Sequence, residues 1–283
     1  MRALPGLRAA VLSRAAMEAK LHAEKDACAE KDTPLAPQSL ADIAAGRFVE
    51  GDSGVAASAP PPWLGPTQRS SYERTKDVFE ERAFSFTLFF HVSLVIGFNL
   101  KPLLDALVFT DDSGTPAEAL KRCASVVVLV VRALPSHLFA DGRRLTPRRP
   151  HHPTRRYMDT FAHLIDWHTG NIFDPKQTAY TSVEAVRKIH AGVRSAMEAK
   201  GKNLAINQFN LAVVQTGFMG LVTVAPLQLG LVLRDSQLSD YVFFWRCVGR
   251  QLGIDDRYNL CGGGMRVSST IVHEVPAPVN VSV

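Results

Sequence analysis

The sequence predicts an all-α fold, and three observations carry that prediction. Apolar residues recur at steps of three and four through much of residues 61–260. Residues that cap helix N-termini stand ahead of several of these runs, and the period-two alternation of a half-buried strand is rare. At 283 residues with 46% hydrophobic content, the chain can bury one sizeable domain with extensions at its ends.

Residues 1–60 read as a disordered extension. Met1 to Met17 carries Arg2, Arg8 and Arg14 without an acidic residue, which suits an organelle transit peptide as well as an untargeted tail. There is no secretory hydrophobic region, so the expected location is intracellular. Residues 83–100 are rich in Phe and Leu, but Ser85, Thr87, His91, Ser93 and Asn99 interrupt them, which favours a buried core helix over a membrane span. His91 reads as a satisfied core histidine. Thr115-Pro-Ala-Glu118 is a capping box that starts a run ended by Pro135. Between Asp141 and Arg156, six arginines and two histidines crowd a proline-broken loop. It reads as a solvated basic loop first and as a contact for an anionic membrane surface second; no nucleic-acid motif accompanies it.

Arg156, Thr160, His163 and Trp167 then lie along one side of a helix. A cation, a hydroxyl, an imidazole and an indole on one stripe suit either a pocket wall or a solvated face. In the next run, Thr181 and Glu184 form a capping box, and Val183, Val186, His190, Val193 and Met197 share one face. An imidazole amid that apolar face needs a partner, either another protein group or a metal. Asn207 caps a run toward Pro226, and Ser239 caps another whose face carries Val242, Trp245, Val248 and Leu252, with Gly253 as its stop. Residues 261–283 read as an irregular tail. Cys28, Cys123, Cys247 and Cys261 are widely spaced, which argues against a zinc site or a disulfide scaffold. His151, His152, His163 and His168 do not fall on one helical face with a carboxylate, so a non-haem iron site is disfavoured.

Arg-x-x-x-Thr (Arg156, Thr160), His-x-x-Val-Arg (His190, Val193, Arg194) and Ile206-Asn207-Gln208, in that order and spacing, resemble the latex-clearing-protein and rubber oxygenase family, which includes the ER-bound oxygenase of mycophenolic acid biosynthesis. Looser likenesses at Pro61-Pro-Trp-Leu-Gly, Leu107-Val-Phe-Thr and Trp245-Arg-Cys-Val-Gly-Arg extend the resemblance over about residues 60–260. The resemblance implies a globin-like helical bundle around a haem pocket, a haem-binding oxygenase-like domain over 61–260. It implies haem b with His190 as the proximal iron ligand, Arg156 and Thr160 on the distal side where O2 binds, and oxidation or cleavage of a long apolar, isoprenoid-like substrate. Arg187 and Arg194 flank His190 and could reach the haem propionates, although solvent-facing roles suit them too.

Asp159 stands where some rubber-cleaving members carry an iron-ligating lysine. An open or water-bound sixth position is therefore expected, with Asp159 as an acid or base or as a plain surface carboxylate. Asn210 stands where relatives often have an aspartate, and the family usually continues beyond the point near Leu260, so a shortened or incomplete member is expected. The alternative is a non-enzymatic, helical, membrane-peripheral or partner-binding protein with a structural His190 and a basic anion-binding loop.

Overall fold

The computed structural model of the chain describes residues 36–54, 60–97, 109, 154–202, 204 and 206–275; of residues 91, 93–97 and 154–158 it describes the backbone alone. The expectations for the first seventeen residues, for the helix from Thr115, for the basic loop from Asp141 to Pro153, for Leu107-Val-Phe-Thr, for Cys28 and Cys123 and for the His91 side chain lie outside the described residues. The described residues form an all-α fold with no strand. The eight helices are α1 (Leu40–Ala44), α2 (Pro66–Glu81), α3 (Ala83–Gly97), α4 (Thr154–Thr169), α5 (Thr178–Glu198), α6 (Gln208–Val224), α7 (Asp235–Gln251) and α8 (Gly264–Glu274). No helix among these residues is long and apolar enough to cross a membrane.

The fold is organised around α7, which is buried on nearly every side and packs against α2, α5, α6 and α8. Its Tyr241, Phe244 and Trp245 meet Phe79 of α2 and Phe86, Phe89 and Phe90 of α3 in one aromatic core. Aromatic side chains bury the largest area per residue, so this cluster dominates the apolar contribution to stability. Two contacts set α2 antiparallel to α7: Tyr72 stacks on Phe244 at 5.4 Å between ring centroids, and Arg74 forks onto both oxygens of Asp240 at 2.7 and 2.8 Å. Residue numbers rise along α2 as they fall along α7. Cys247 and Cys261 are buried free thiols, whose pKa values burial pushes upward.

Several boundaries differ from those that the sequence suggests. Helix α5 starts at Thr178, so Thr181 lies inside its first turns and its hydroxyl donates to Thr178 O instead of capping. Glu184 accepts from the Tyr180 hydroxyl and forms no capping box with Thr181. Helix α7 starts at Asp235, four residues before Ser239, because Gln237 Oε1 accepts the Arg234 amide and closes the end of the helix. The Asn207 cap stands as expected, its side chain accepting from Asn210 N at 2.8 Å. Gly253 ends α7 at φ +97, a left-handed conformation that glycine adopts without strain.

Described structure extends on both sides of residues 61–260. Residues 264–274, expected as an irregular tail, form α8, and Ile271 and Ser268 are buried against the bundle. Ser268 Oγ donates toward Leu260 O and Gly264 O, tying the helix to the glycine turn before it. The compact body begins at Ala36, and not at Pro61. Residues 36–54 form a strap: α1 capped by Ser39, a 3-10 turn over Ala45–Phe48, then an extended run bridged antiparallel at Glu50 to Asn207. The strap approaches so closely that a Cβ on Gly51 would sit 2.3 Å from Ile206 O. Replacing Gly51 with alanine must push the strap outward, at a cost of about 1–2 kcal/mol typical of overpacking. Urea denaturation should show the midpoint falling with an unchanged slope, whereas Gly54→Ala would act through its φ of +69 alone, since a Cβ there meets nothing.

Candidate functional site

Helices α4 and α5 form a hairpin closed by residues 170–177. The turn is built from side-chain bonds to the backbone: Asn171 N donates to Gln177 Oε1 at 2.7 Å, and Phe173 N donates to Asn171 Oδ1 at 2.9 Å. Tyr72 of α2 holds it from outside, donating its hydroxyl to Gly170 O and accepting from Ile172 N, both at 3.1 Å. Higher in the hairpin, Ser182 of α5 sits between two residues of the polar stripe on α4. Trp167 Nε1 donates to Ser182 Oγ at 3.1 Å, and His163 Nδ1 is hydrogen-bonded to the same oxygen at 2.7 Å. Two of the four stripe residues therefore face α5 and not solvent.

This clasp fixes the register of the hairpin. Ser182 bonds residues one turn apart, so it lies level with about residue 165 of α4. At about 1.5 Å per residue, Thr160 stands about 7.5 Å above the clasp, Arg156 about 13.5 Å and His190 about 12 Å. His190 thus falls between the levels of Thr160 and Arg156. Thr160 is half-buried and Asp159 is exposed, while Arg156 lies on the first turns of α4 with only its backbone described.

His190 is half-buried, yet its Nδ1 is buried without a hydrogen-bond partner. Burial pushes its pKa down to about 4 and the Arg194 charge adds to the effect, against a smaller opposing pull from Asp52. At neutral pH the ring is an uncharged imidazole, the form that binds a metal. Arg187, one turn before it, is already engaged. Its Nε donates to Asp52 Oδ2 at 2.7 Å and its Nη2 to Asp52 Oδ1. Burial opposes ionisation of Asp52, but the Arg187 hydrogen bonds and the Gly54 amide outweigh it and hold the carboxyl below the usual carboxylate range. Arg194, one turn after His190, is half-buried and acts electrostatically on both groups.

The strap delivers Asp52. Ser53 N donates to Gly253 O at 2.9 Å, and Gln208 N donates to Val49 O at 3.1 Å. The Ile206-Asn207-Gln208 motif is what receives the strap. Asn207 Nδ2 donates to Arg47 O and Leu204 O at 3.1 and 3.0 Å. The fully buried Gln208 donates to Gly253 O at 3.0 Å and accepts from Asp255 N at 2.8 Å. These residues join strap, α6 and the exit of α7, and they hold Asp52 on the turn of α5 that precedes His190.

A second histidine was not selected from the sequence. His168 is fully buried, and its Nδ1–H donates to Leu164 O at 2.7 Å, which fixes the tautomer and leaves Nε2 as a bare acceptor without a partner. Burial pushes its pKa down to about 4. A carbonyl on one ring nitrogen and a free lone pair on the other is the usual preparation of a metal-ligating histidine. The surroundings argue otherwise here. The rings of Phe79 and Phe244 lie 4.6 and 4.4 Å from it, with Phe90, Trp245, Tyr241 and Phe86 within 6.5 Å. A flat macrocycle at His168 would have to displace the aromatic core. No group of three or more His, Cys, Asp or Glu residues able to hold a metal ion occurs among the described residues.

Residues 124–259 match the family described as "ER-bound oxygenase mpaB/B'/Rubber oxygenase, catalytic domain". This stretch is similar to that oxygenase family. The match contains α4, α5, α6 and α7, and therefore the whole hairpin with Thr160 and His190. Oxygenases are oxidoreductases, so the likeness points to that class of chemistry. Neither the curated proteins nor the solved structures contain a match to the chain. Asp52 lies outside the matched residues but bonds Arg187 inside them. Sequence reasoning missed Asp52, Ser182 and His168; only Asp52 carried a signal, the Gly51-Asp-Ser-Gly54 turn.

Proposed function

We propose that the chain is a haem b-dependent oxygenase that oxidises or cleaves a long apolar, isoprenoid-like substrate with O2. The observation that supports it most is the hairpin register, which sets His190, a neutral imidazole, between the levels of Thr160 and of the Arg156 backbone in a stretch similar to an oxygenase domain. The residues present fit the haem. His190, with an orphaned buried ring nitrogen and a depressed pKa, would hold the iron. Arg194 is better placed for a propionate than Arg187, whose donors are committed to Asp52. When bound, the haem supplies oxygen binding and the oxidising power.

The protein's own share is positional. Thr160 and Arg156 donate hydrogen bonds on the side of α4, where charge developing on oxygen is stabilised by fixed donors. Asp159 is a source or acceptor of protons at the exposed edge of the same helix. The packed faces of α4 and α7 cover the buried side of α5. An apolar substrate of this kind partitions into membranes, so peripheral contact with an anionic bilayer, through the basic residues before α4, belongs to the same proposal.

The test is the absorption spectrum of protein expressed with haem supplied. The wild type should show a Soret band, His190→Ala should lose it while keeping its helical circular dichroism, and His168→Phe should retain it. A colourless folded wild type, or an unchanged band in His190→Ala, would overturn the proposal. Binding to anionic vesicles by such a colourless protein would favour the non-enzymatic membrane-peripheral alternative.

A further inference from the structure

The clasp between α4 and α5 does more than pack two helices. Ser182 is buried, and its hydroxyl is the common partner of Trp167 Nε1 at 3.1 Å and His163 Nδ1 at 2.7 Å. The two α4 rings lie 22° from parallel with centroids 6.3 Å apart, so they approach Ser182 as one stacked unit. Apolar contacts between helices are non-directional and tolerate sliding. Hydrogen bonds to a single oxygen do not, because they fail beyond about 3.5 Å or at poor angles. Displacing α4 by one residue along α5 would move Thr160 and Arg156 by about 1.5 Å relative to His190.

We propose that Ser182 is a positioning residue of the oxygenase site. Its hydroxyl pins α4 in the one register that brackets His190 with Thr160 and Arg156. This rests on the proposed role of His190 and Thr160 at a haem. Ser182 itself touches neither substrate nor cofactor; it acts through the helix that carries the donors. A misplacement of about 1 Å in such donors is enough to lower turnover by about a hundredfold. The loss is expected in kcat more than in KM, because the displaced donors act on the reacting oxygen and not on the apolar chain.

Three variants test it. Ser182→Ala removes the common oxygen, Trp167→Phe keeps the ring but removes the donor, and Ser182→Thr restores a hydroxyl. The first readout needs no haem: amide hydrogen exchange of the protein as purified. Ser182→Ala and Trp167→Phe should speed exchange at least tenfold over residues 157–163 of α4 while α2 and α7 stay as in the wild type, and Ser182→Thr should return it toward wild type. Uniform change across all helices, or none, overturns the pin. The second readout is the stretching frequency of carbon monoxide bound to the reduced haem protein, which reports the donors facing it. Ser182→Ala should keep the Soret band but shift this frequency in the direction that Thr160→Ala shifts it. An unshifted frequency in Ser182→Ala, beside a shifted one in Thr160→Ala, overturns the positioning role and leaves the haem proposal standing. A wild type without a Soret band removes the haem proposal and the catalytic meaning of the pin, while the exchange result still decides whether the clasp sets the hairpin.

Discussion

His168→Phe should flatten the acid side of the stability curve while changing stability little at pH 7.5. The reasoning starts from the ring's surroundings. Packed among Phe79, Phe86, Phe90, Tyr241, Phe244 and Trp245, the imidazole has no water to solvate a positive charge. Burial takes its pKa from 6.5 to about 4. The unfolded chain therefore binds a proton near pH 6.5 that the folded chain refuses until about pH 4. Stability is full above the unfolded value and drains away as pH falls through this window. At 1.36 kcal/mol per unit, the loss attributable to His168 is about 3 kcal/mol. Phenylalanine keeps the stacked ring and removes both the titration and the orphaned Nε2 acceptor. Leu164 O, which loses the Nδ1–H donor, remains inside a helix and keeps its backbone partner. Urea unfolding from pH 7.5 to 4 should show wild type and variant close together at the top, then diverging by about 3 kcal/mol at the bottom. His190 is depressed to about 4 as well and supplies a second share of the acid loss, so the variant's curve still declines. Parallel curves would mean that the cage admits water or that His168 charges without penalty.

Much of this architecture was legible in the sequence, and the limits have physical causes. The helices were readable because each buries one face, and the 3.6-residue period survives in the order of side chains. The polar stripe from Arg156 to Trp167 and the apolar face through His190 were readable for the same reason. Their meeting was not, because register across a hairpin depends on which hydroxyl satisfies which ring. A lone Ser182 in the first turns of α5 gives no periodic signal. His168 was hidden because its environment is assembled from three other helices, α2, α3 and α7, distant from it in sequence. The strap was missed for another reason. Residues 36–54 bury few large side chains and are held by glycine contacts and backbone bonds, which composition does not reveal. Ile206-Asn207-Gln208 was recognised as a motif before its work was known. That work is to receive the strap, so the motif marks a structural joint beside the site.

Asp52→Ala should release the end of that strap and cost roughly 2 kcal/mol at neutral pH. Breaking a fully buried ion pair by removing one partner typically costs about 3–5 kcal/mol, because the remaining charge is stranded. Here the side chains of Arg187 and Asp52 keep 15% and 23% of their exposure, so water relieves part of the penalty. The pH dependence follows from the lowered pKa of Asp52. A carboxylate stabilised in the folded state contributes its full share above the ordinary value of 3.8, and that share is lost as pH falls through and below it. Wild type and Asp52→Ala should therefore differ most at neutral pH and converge in acid. This is the opposite trend to His168→Phe, whose difference from wild type grows as pH falls. The two variants together separate a buried base from a paired acid in the same helical body. Limited proteolysis gives the local readout: strap residues 36–54 should become cleavable in Asp52→Ala before any site in α7 does, since the strap would lose its tie to α5 while α7 keeps its packing. Simultaneous cleavage of strap and α7 would show that the pair stabilises the whole fold, and that the strap has no separate latch at Arg187.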